Sequence, residues 1–331
     1  MKKLSVIMPV YNGELYIEEA INSIVNQTFT DFDLIILNDN SSDGTVAIIE
    51  KIREKDNRII LINKTKNEGP ANLRNEGIEM AKTEYVALLD ADDIAMPTRF
   101  EKQINILDTN PSLGLCGTWF TIFGDKKEKV LKHSEKHEDL KVQFLHSCGL
   151  GNSTVMFRKS MIGDLRFEHQ YVPAEDYGLW SEFIAKSEFY NIPESLVRYR
   201  WHPGNISQTK EENLRIAEVA IKKRQLERLE IDSNDENSSY YVNAVSLKRK
   251  QNAEDIIKTI EASKVLKQKN DKLKVYNQAI FCEHIDRMII RTIRNSKDHN
   301  TTFFKYVKND SGYFNKISFL DKIIFYFKCQ F

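Results

Sequence analysis

The chain has 331 residues, 41% of them hydrophobic and 29% charged, with 48 Lys and Arg balanced by 48 Asp and Glu. This is the composition of a soluble globular protein with a sizeable core. Zero net charge points to no polyanionic partner, so no nucleic-acid ligand is expected, and four scattered cysteines (Cys116, Cys148, Cys282, Cys329) exclude a disulfide framework.

The first 110 residues alternate strand and helix signals. LSVIMPV is a short apolar run of the buried-strand kind, and residues 15–25 have helical periodicity. DLIILND predicts the second strand, residues 45–54 a helix, RIILIN the third strand and GPANLRNEGIEMAK the third helix. EYVALLD is the fourth strand, with a helix over 98–107. Repeated β-α units of this length predict an α/β fold with a mostly parallel sheet. In such sheets ligands sit beyond the carboxyl ends of the strands. Tyr11, Asn12, Asp39, Asp90 and Asp92 all lie at or just after strand ends, on one edge.

Further along, LGLCGTWFTIFG and STVMF read as strands, EDYGLWSEFIA as a helix, and FYNI and LVRYR as strands. DKKEKVLKHSEKHED between them reads as a charged, exposed segment, and NDENSSY (234–240) as a linker. From about Glu211 the chain is helical and lysine-rich, and residues 247–331 carry 18 Lys and Arg against 9 Asp and Glu. No run approaches the ~20 apolar residues of a membrane span, and the N-terminus fits a strand better than a signal peptide. The expected location is the cytoplasm.

DADD (90–93) places three carboxylates within four positions at the mouth of a strand. Two carboxylates ~5 Å apart repel by about 3 kcal/mol at an effective dielectric near 20. A positive partner is therefore expected, unless Asp92 or Asp93 caps a helix starting near Pro97.

PVYNG (9–13), NDNSSDGT (38–45), NEGPANLRN (67–75), DADD, AEDYGLW (174–180) and RYRWHPGNIS (198–207) follow one another as in the family 2 glycosyltransferases. The sequence resembles that family over residues 1–230, and it looks like the bacterial lipooligosaccharide, capsule and O-antigen enzymes. The resemblance implies a GT-A nucleotide-sugar-binding domain over 1–230, followed by a basic helical extension over 231–331. It also implies an inverting hexosyl- or N-acetylhexosaminyltransferase, with a nucleotide-sugar donor, expected to be a UDP-sugar, and a glycan or lipid-linked glycan acceptor.

Carried onto matching positions, the family's donor site comprises Pro9, Tyr11, Asn12, Asp39, Gly69, Arg74, Asp90, Ala91, Asp92 and Arg200. Asp39 would accept the uracil N3–H through a charge-assisted hydrogen bond; the residue before it, often aspartate in the family, is Asn38. Asp92, with His202, would ligate Mn²⁺ or Mg²⁺, hard cations commonly held by one or two carboxylates plus substrate phosphates. Asp176 would be the general base and Glu175 an orienting neighbour. Simpler readings stand beside these: Asp43 capping the second helix, Arg74 salt-bridged to the acidic cluster, acids filling the first turn of a helix at 175–176, Trp180 in the core, and a structural His202.

Two rival classes are weakened. No GxGxxG follows the first strand, as a dinucleotide-binding oxidoreductase would require, and a metal hydrolase would need a denser set of His and Asp. The tail FNKISFLDKIIFYFKCQF (314–331) reads either as a helix in the membrane interface, peripheral at its inner face, or as a helix packed on the protein or in a homo-oligomer contact.

Overall fold

The computed structural model describes residues 2–246 and 251–330. The chain forms two compact units, one running to Leu140 and from Cys148 to Leu214, the other comprising Lys141–Ser147 and the residues from Arg215 onward.

In the first unit, β1 (Leu4–Val10), β2 (Phe32–Asn38), β3 (Ile59–Asn63) and β4 (Tyr85–Leu88) pair in parallel in the spatial order β3-β2-β1-β4. All seven residues of β1 are buried, as a strand flanked on both sides requires. The connecting helices are α1 (Ile17–Val25), α2 (Thr45–Arg53) and α3 (Pro70–Met80). α1 buries Ile17, Ala20, Ile21 and Ile24, the i, i+3, i+4, i+7 stripe of an amphipathic helix. α3 approaches β1 so closely that a Cβ at Gly77 would lie 2.6 Å from the Ile7 side chain.

The sheet continues through β5 (Ile94–Ala95), β6 (Leu113–Gly124), β7 (Lys129–Leu131), β8 (Met156–Arg158) and β9 (Glu188–Trp201), in the order β4-β8-β6-β9-β5 with β7 on β6. β5, β7 and β8 run against the other six strands, so the sheet is mostly parallel. The two strands predicted at FYNI and LVRYR are one strand. Pro193 and Glu194 lie where the β6–β9 register shifts, Thr118 facing Ile192 and Trp119 facing Ser195. Proline cannot donate to a ladder, so the break is a bulge rather than an end. DKKEKVLKHSEKHED is not wholly irregular either: it contains β7 and the start of α5 (His137–Gln143).

Between β4 and α4 (Arg99–Thr109) the chain leaves the ladder, and buried side chains take up the stranded carbonyls. Arg99, fully buried, donates through Nη2 to the carbonyls of Leu88 and Val155, both at 3.0 Å. Gln103 donates to Cys116 and Thr154, and Gln27 to Ser23 and Met96. Charged donors to buried acceptors contribute about 1.5–3 kcal/mol each, partly offset by the cost of burying the cation. Arg99→Met should therefore lower the stability of the first unit by about 3 kcal/mol in urea unfolding followed by tryptophan fluorescence. A loss below about 0.5 kcal/mol would show that both carbonyls find other partners.

After α6 (Lys159–Ile162), α7 (Glu175–Phe183) and α8 (Ile206–Thr209), the helices of the second unit follow: α9 (Glu211–Leu226), α10 (Glu236–Val245), α11 (Ala253–Leu273), α12 (Gln278–Arg294), α13 (Thr301–Asn309) and α14 (Phe319–Gln330). Its core gathers Leu226, Leu229, Ile231, Tyr241, Val242, Ile256, Ile260 and the Phe281, Ile285, Ile289, Ile293 stripe of α12, with Val142 and Leu145 from the earlier segment. The main segment of the unit thus begins at Arg215, because Leu226 and Leu229 are committed to this core, and the predicted limit at 230 falls inside it. The predicted linker at 234–240 is instead the start of α10, whose polar residues form its cap: Asp235 accepts from the Asn237 N–H at 2.7 Å. Of the predicted basic extension, residues 247–250 and 331 lie outside the described residues. Among the described residues no helix is long and apolar enough to cross a membrane.

Candidate active site

Parallel strands deliver their carboxyl ends to one edge, and the predicted site residues gather there. Pro9 is buried in β1 opposite Leu37, two positions beyond the last β4 pairing, Ile7 with Leu88. Tyr11 follows, exposed. Asn12 takes the left-handed conformation (φ 50°) and accepts from the Ser42 N–H at 2.9 Å, joining this turn to the one after β2. Asp43 accepts from the Thr45 and Glu14 N–H groups and organises the start of α2.

Asp39 is buried, and each of its oxygens accepts from a backbone N–H, Oδ1 from Glu68 (2.7 Å) and Oδ2 from Gly69 (2.9 Å). This clamp fixes the turn entering α3, where Gly69 holds φ 83°. Each oxygen retains a second lone pair. Asn38 uses both ends of its amide, donating to Asn63 Oδ1 (3.0 Å) and accepting from the Ser41 N–H (3.2 Å). An aspartate here would have no N–H for Asn63, which gives the amide a structural reason.

Each carboxylate of DADD has its own basic neighbour. Asp90 accepts from Arg74 Nη2 at 2.7 Å, and Asp92 Oδ2 lies 3.1 Å from His202 Nε2. Asp93, fully buried, feels the charge of Arg99 and accepts from the Arg200 N–H at 2.8 Å. The expected positive partner is thus supplied in part by the protein. Neither Asp92 nor Asp93 caps a helix: β5 intervenes and Thr98 stands at the cap of α4. Burial and the Asp90 charge raise Asp92 above the usual carboxylate range, while burial and both neighbouring aspartates push Asp93 further. Ala91 is half-buried between them.

Arg74 also donates through Nη1 to Glu175 Oε1 at 2.6 Å, so one buried guanidinium joins the end of β4 to the start of α7. Burial disfavours its charge, but Asp90 and Glu175 outweigh this and hold it protonated. Asn75 holds the chain leading to α7 by a two-way bond to the Phe167 backbone, 2.9 Å each way. Asp176 accepts from the Tyr177 N–H at 2.7 Å. Burial, then the Glu175 charge, pushes it up to about 7 against the pull of Arg74. Trp180 is a core residue, fully buried against Phe157 and Phe167.

The strap after β9 closes on Asp92. Arg200 donates through Nε to the Asp92 carbonyl (2.9 Å), pairs with Glu19 and lies over the Tyr16 ring. Asn205 donates to Asp92 Oδ2 (3.3 Å) and accepts from the His202 N–H (2.6 Å). Asp92 and His202 therefore bring one oxygen and one imidazole nitrogen to the same point, ligand types that suit a divalent cation. Among the described residues no group of three or more His, Cys, Asp or Glu could hold a metal.

A model of the family described as glycosyl transferase family 2 matches residues 5–166. An uncharacterized glycosyltransferase of Haemophilus influenzae is 32% identical over 256 residues, covering 74% of this chain and 76% of that protein. The chain belongs to glycosyltransferase family 2. An Escherichia coli relative of this transferase, named UDP-Glc:alpha-D-GlcNAc-diphosphoundecaprenol beta-1,3-glucosyltransferase WfaP, is 30% identical over 63% of this chain and 82% of its own. The crystal structure of S. aureus TarS 1–349 in complex with UDP superposes with a TM-score of 0.56 at 19% identity, over 88% of this chain and 90% of that one. The transferase thus has the mostly parallel α/β architecture of GT-A enzymes with added C-terminal helices, as the resemblance implied.

Within the site of this transferase, sequence reasoning missed Arg99 and Asn205 as partners of the acidic loop. Ser153, whose Oγ accepts from the Asp90 N–H at 3.1 Å, was also missed. Asn205 sits in the RYRWHPGNIS motif, and its position three residues after His202 was a usable signal. Arg99 and Ser153 carry no such signal, since their contacts depend on how the strands assemble.

Proposed function

We propose that this enzyme moves a sugar from a UDP-sugar to a hydroxyl of a lipid-linked glycan, in one inverting displacement with Asp176 as general base. The observation that carries this reading is a buried carboxyl pushed up to about 7, next in the chain to Glu175, which Arg74 bridges to Asp90 at the end of β4. A base near neutrality can take a proton from an acceptor hydroxyl at working pH. The E. coli relative's name supports the uridine nucleotide and the lipid diphosphate carrier.

In this reading Asp39 receives the uracil N3–H on a remaining lone pair, while Tyr11 and Asn12 line the base. Gly69 lets the backbone at the start of α3 approach the nucleotide. Arg74 orients Asp90 toward the ribose, and the Glu19 pair opens for Arg200 to meet phosphate. Asp92 and His202 would hold Mn²⁺ or Mg²⁺ together with donor phosphates, and Asn205 fixes Asp92 for that task. When bound, the ion would stabilise charge on the departing nucleoside diphosphate.

The test is to incubate the protein with UDP-glucose, UDP-galactose and their N-acetyl forms, with Mn²⁺ and a lipid-linked acceptor. Release of UDP with glycosylated acceptor is expected. Cleavage to UMP and sugar 1-phosphate would make the protein a phosphohydrolase instead. The pH profile adds a second check. Asp176 must be ionised to act, so kcat/KM should rise with pH along an acidic limb centred near 7 and lose about tenfold per unit below it. A flat profile between pH 5 and 8 would remove Asp176 from the role.

A further inference from the structure

α14 turns an apolar face outward. Phe319 (76% exposed), Leu320 (71%), Ile323, Ile324 (52%), Tyr326 and Phe327 (55%) all reach the surface, while Phe325 and Cys329 are buried. At 100° per residue the six exposed side chains fill an arc of about 160°. Lys322 and Lys328 fall about 40° beyond its two edges. The opposite side rests on α13 through Phe325, against Phe303 and Phe304. The helix therefore serves the core on one side and is still apolar on the side that faces water.

An apolar arc of this width marks a surface that something covers. The charges around it select the occupant. Residues 301–330 carry five lysines and two aspartates, and Asp321 is already paired with Arg294. A second copy related by a two-fold axis would set lysine-edged arcs against each other. An anionic lipid surface meets both demands, taking the apolar arc below the headgroups and the lysines at their level.

We propose that α14 is a membrane-docking helix, lying in the plane of an anionic bilayer with Phe319, Leu320, Ile323, Ile324 and Phe327 in the acyl boundary. The proposal does not depend on the acceptor or on the chemistry of the active site.

The experiment is co-sedimentation of the full chain with vesicles of phosphatidylglycerol and phosphatidylcholine, compared with phosphatidylcholine alone. The parent should bind the anionic vesicles, more weakly as salt is added. Leu320→Glu/Ile324→Glu/Phe327→Glu should weaken binding by at least about tenfold, with unchanged circular dichroism, because each of these side chains is more than half exposed. Lys322→Gln/Lys328→Gln leaves the apolar arc intact and should remove most of the salt dependence. Unchanged vesicle binding by the triple-glutamate variant would overturn the proposal. So would a parent that ignores vesicles and forms a dimer which that variant splits, since the arc would then be a contact between copies.

Discussion

Asp176→Asn should reduce sugar transfer by about 10²–10⁴-fold in kcat, the range spanned by loss of a general base. UDP affinity should stay within about threefold, because a base acts on the acceptor proton in the transition state and not on the bound nucleotide. The substitution is structurally mild. The one hydrogen bond given to the side chain, from the Tyr177 N–H at 2.7 Å, reaches Oδ1, which asparagine keeps. Asparagine also lifts the repulsion from Glu175 that helps raise Asp176. Calorimetric titration with UDP beside a transfer assay decides the matter. A loss of UDP affinity as large as the loss of kcat would make Asp176 a nucleotide ligand.

Asp92→Ala should lower transfer by about a thousandfold, equivalent to the several kcal/mol a metal contributes to transition-state charge. The protein should stay folded, with a melting temperature equal to or above that of the parent. Burial and the charge on Asp90 already work against ionised Asp92, so its removal relieves repulsion while His202 and Asn205 lose a partner. Removing an ion by chelation should match the substitution in the parent and add nothing in the variant. Full transfer in excess chelator would dismiss the metal. A collapsed melting temperature would show that Asp92 holds the strap in place and does not primarily serve chemistry.

The first half of the fold was legible because its strands are nearly unbroken apolar runs and its helices keep a 3.6-residue stripe. LSVIMPV and LGLCGTWFTIFG begin and end where β1 and β6 do. The failures came from polar or proline-bearing stretches whose state is set by distant partners. Pro193 looks like a strand end until β6 supplies a bulge, and NDENSSY looks like a linker until Tyr241 and Val242 find a core. At the site, the acids and their positions beyond strand ends were readable, and Arg74 and His202 were among their expected neighbours, but Arg99 was not. Arg99 lies six residues after Asp93, with β5 between them, and nothing local announces that pairing. Part of the positive charge expected at DADD is therefore supplied by a cation that the local sequence does not announce.

Arg74 spans Asp90 and Glu175, so the end of β4 and the start of α7 draw on one cation. When a ligand hydroxyl bonds Asp90, that carboxylate leans less on the guanidinium, and more of the cation's field falls on Glu175 and Asp176. The proton on Asp176 is then held less tightly than in the empty protein. If Asp176 is the base, occupation of the Asp90 side would thereby ready it by electrostatics alone, with no hinge or loop needing to move. An unaccompanied acceptor would then meet a carboxyl that burial and Glu175 keep raised.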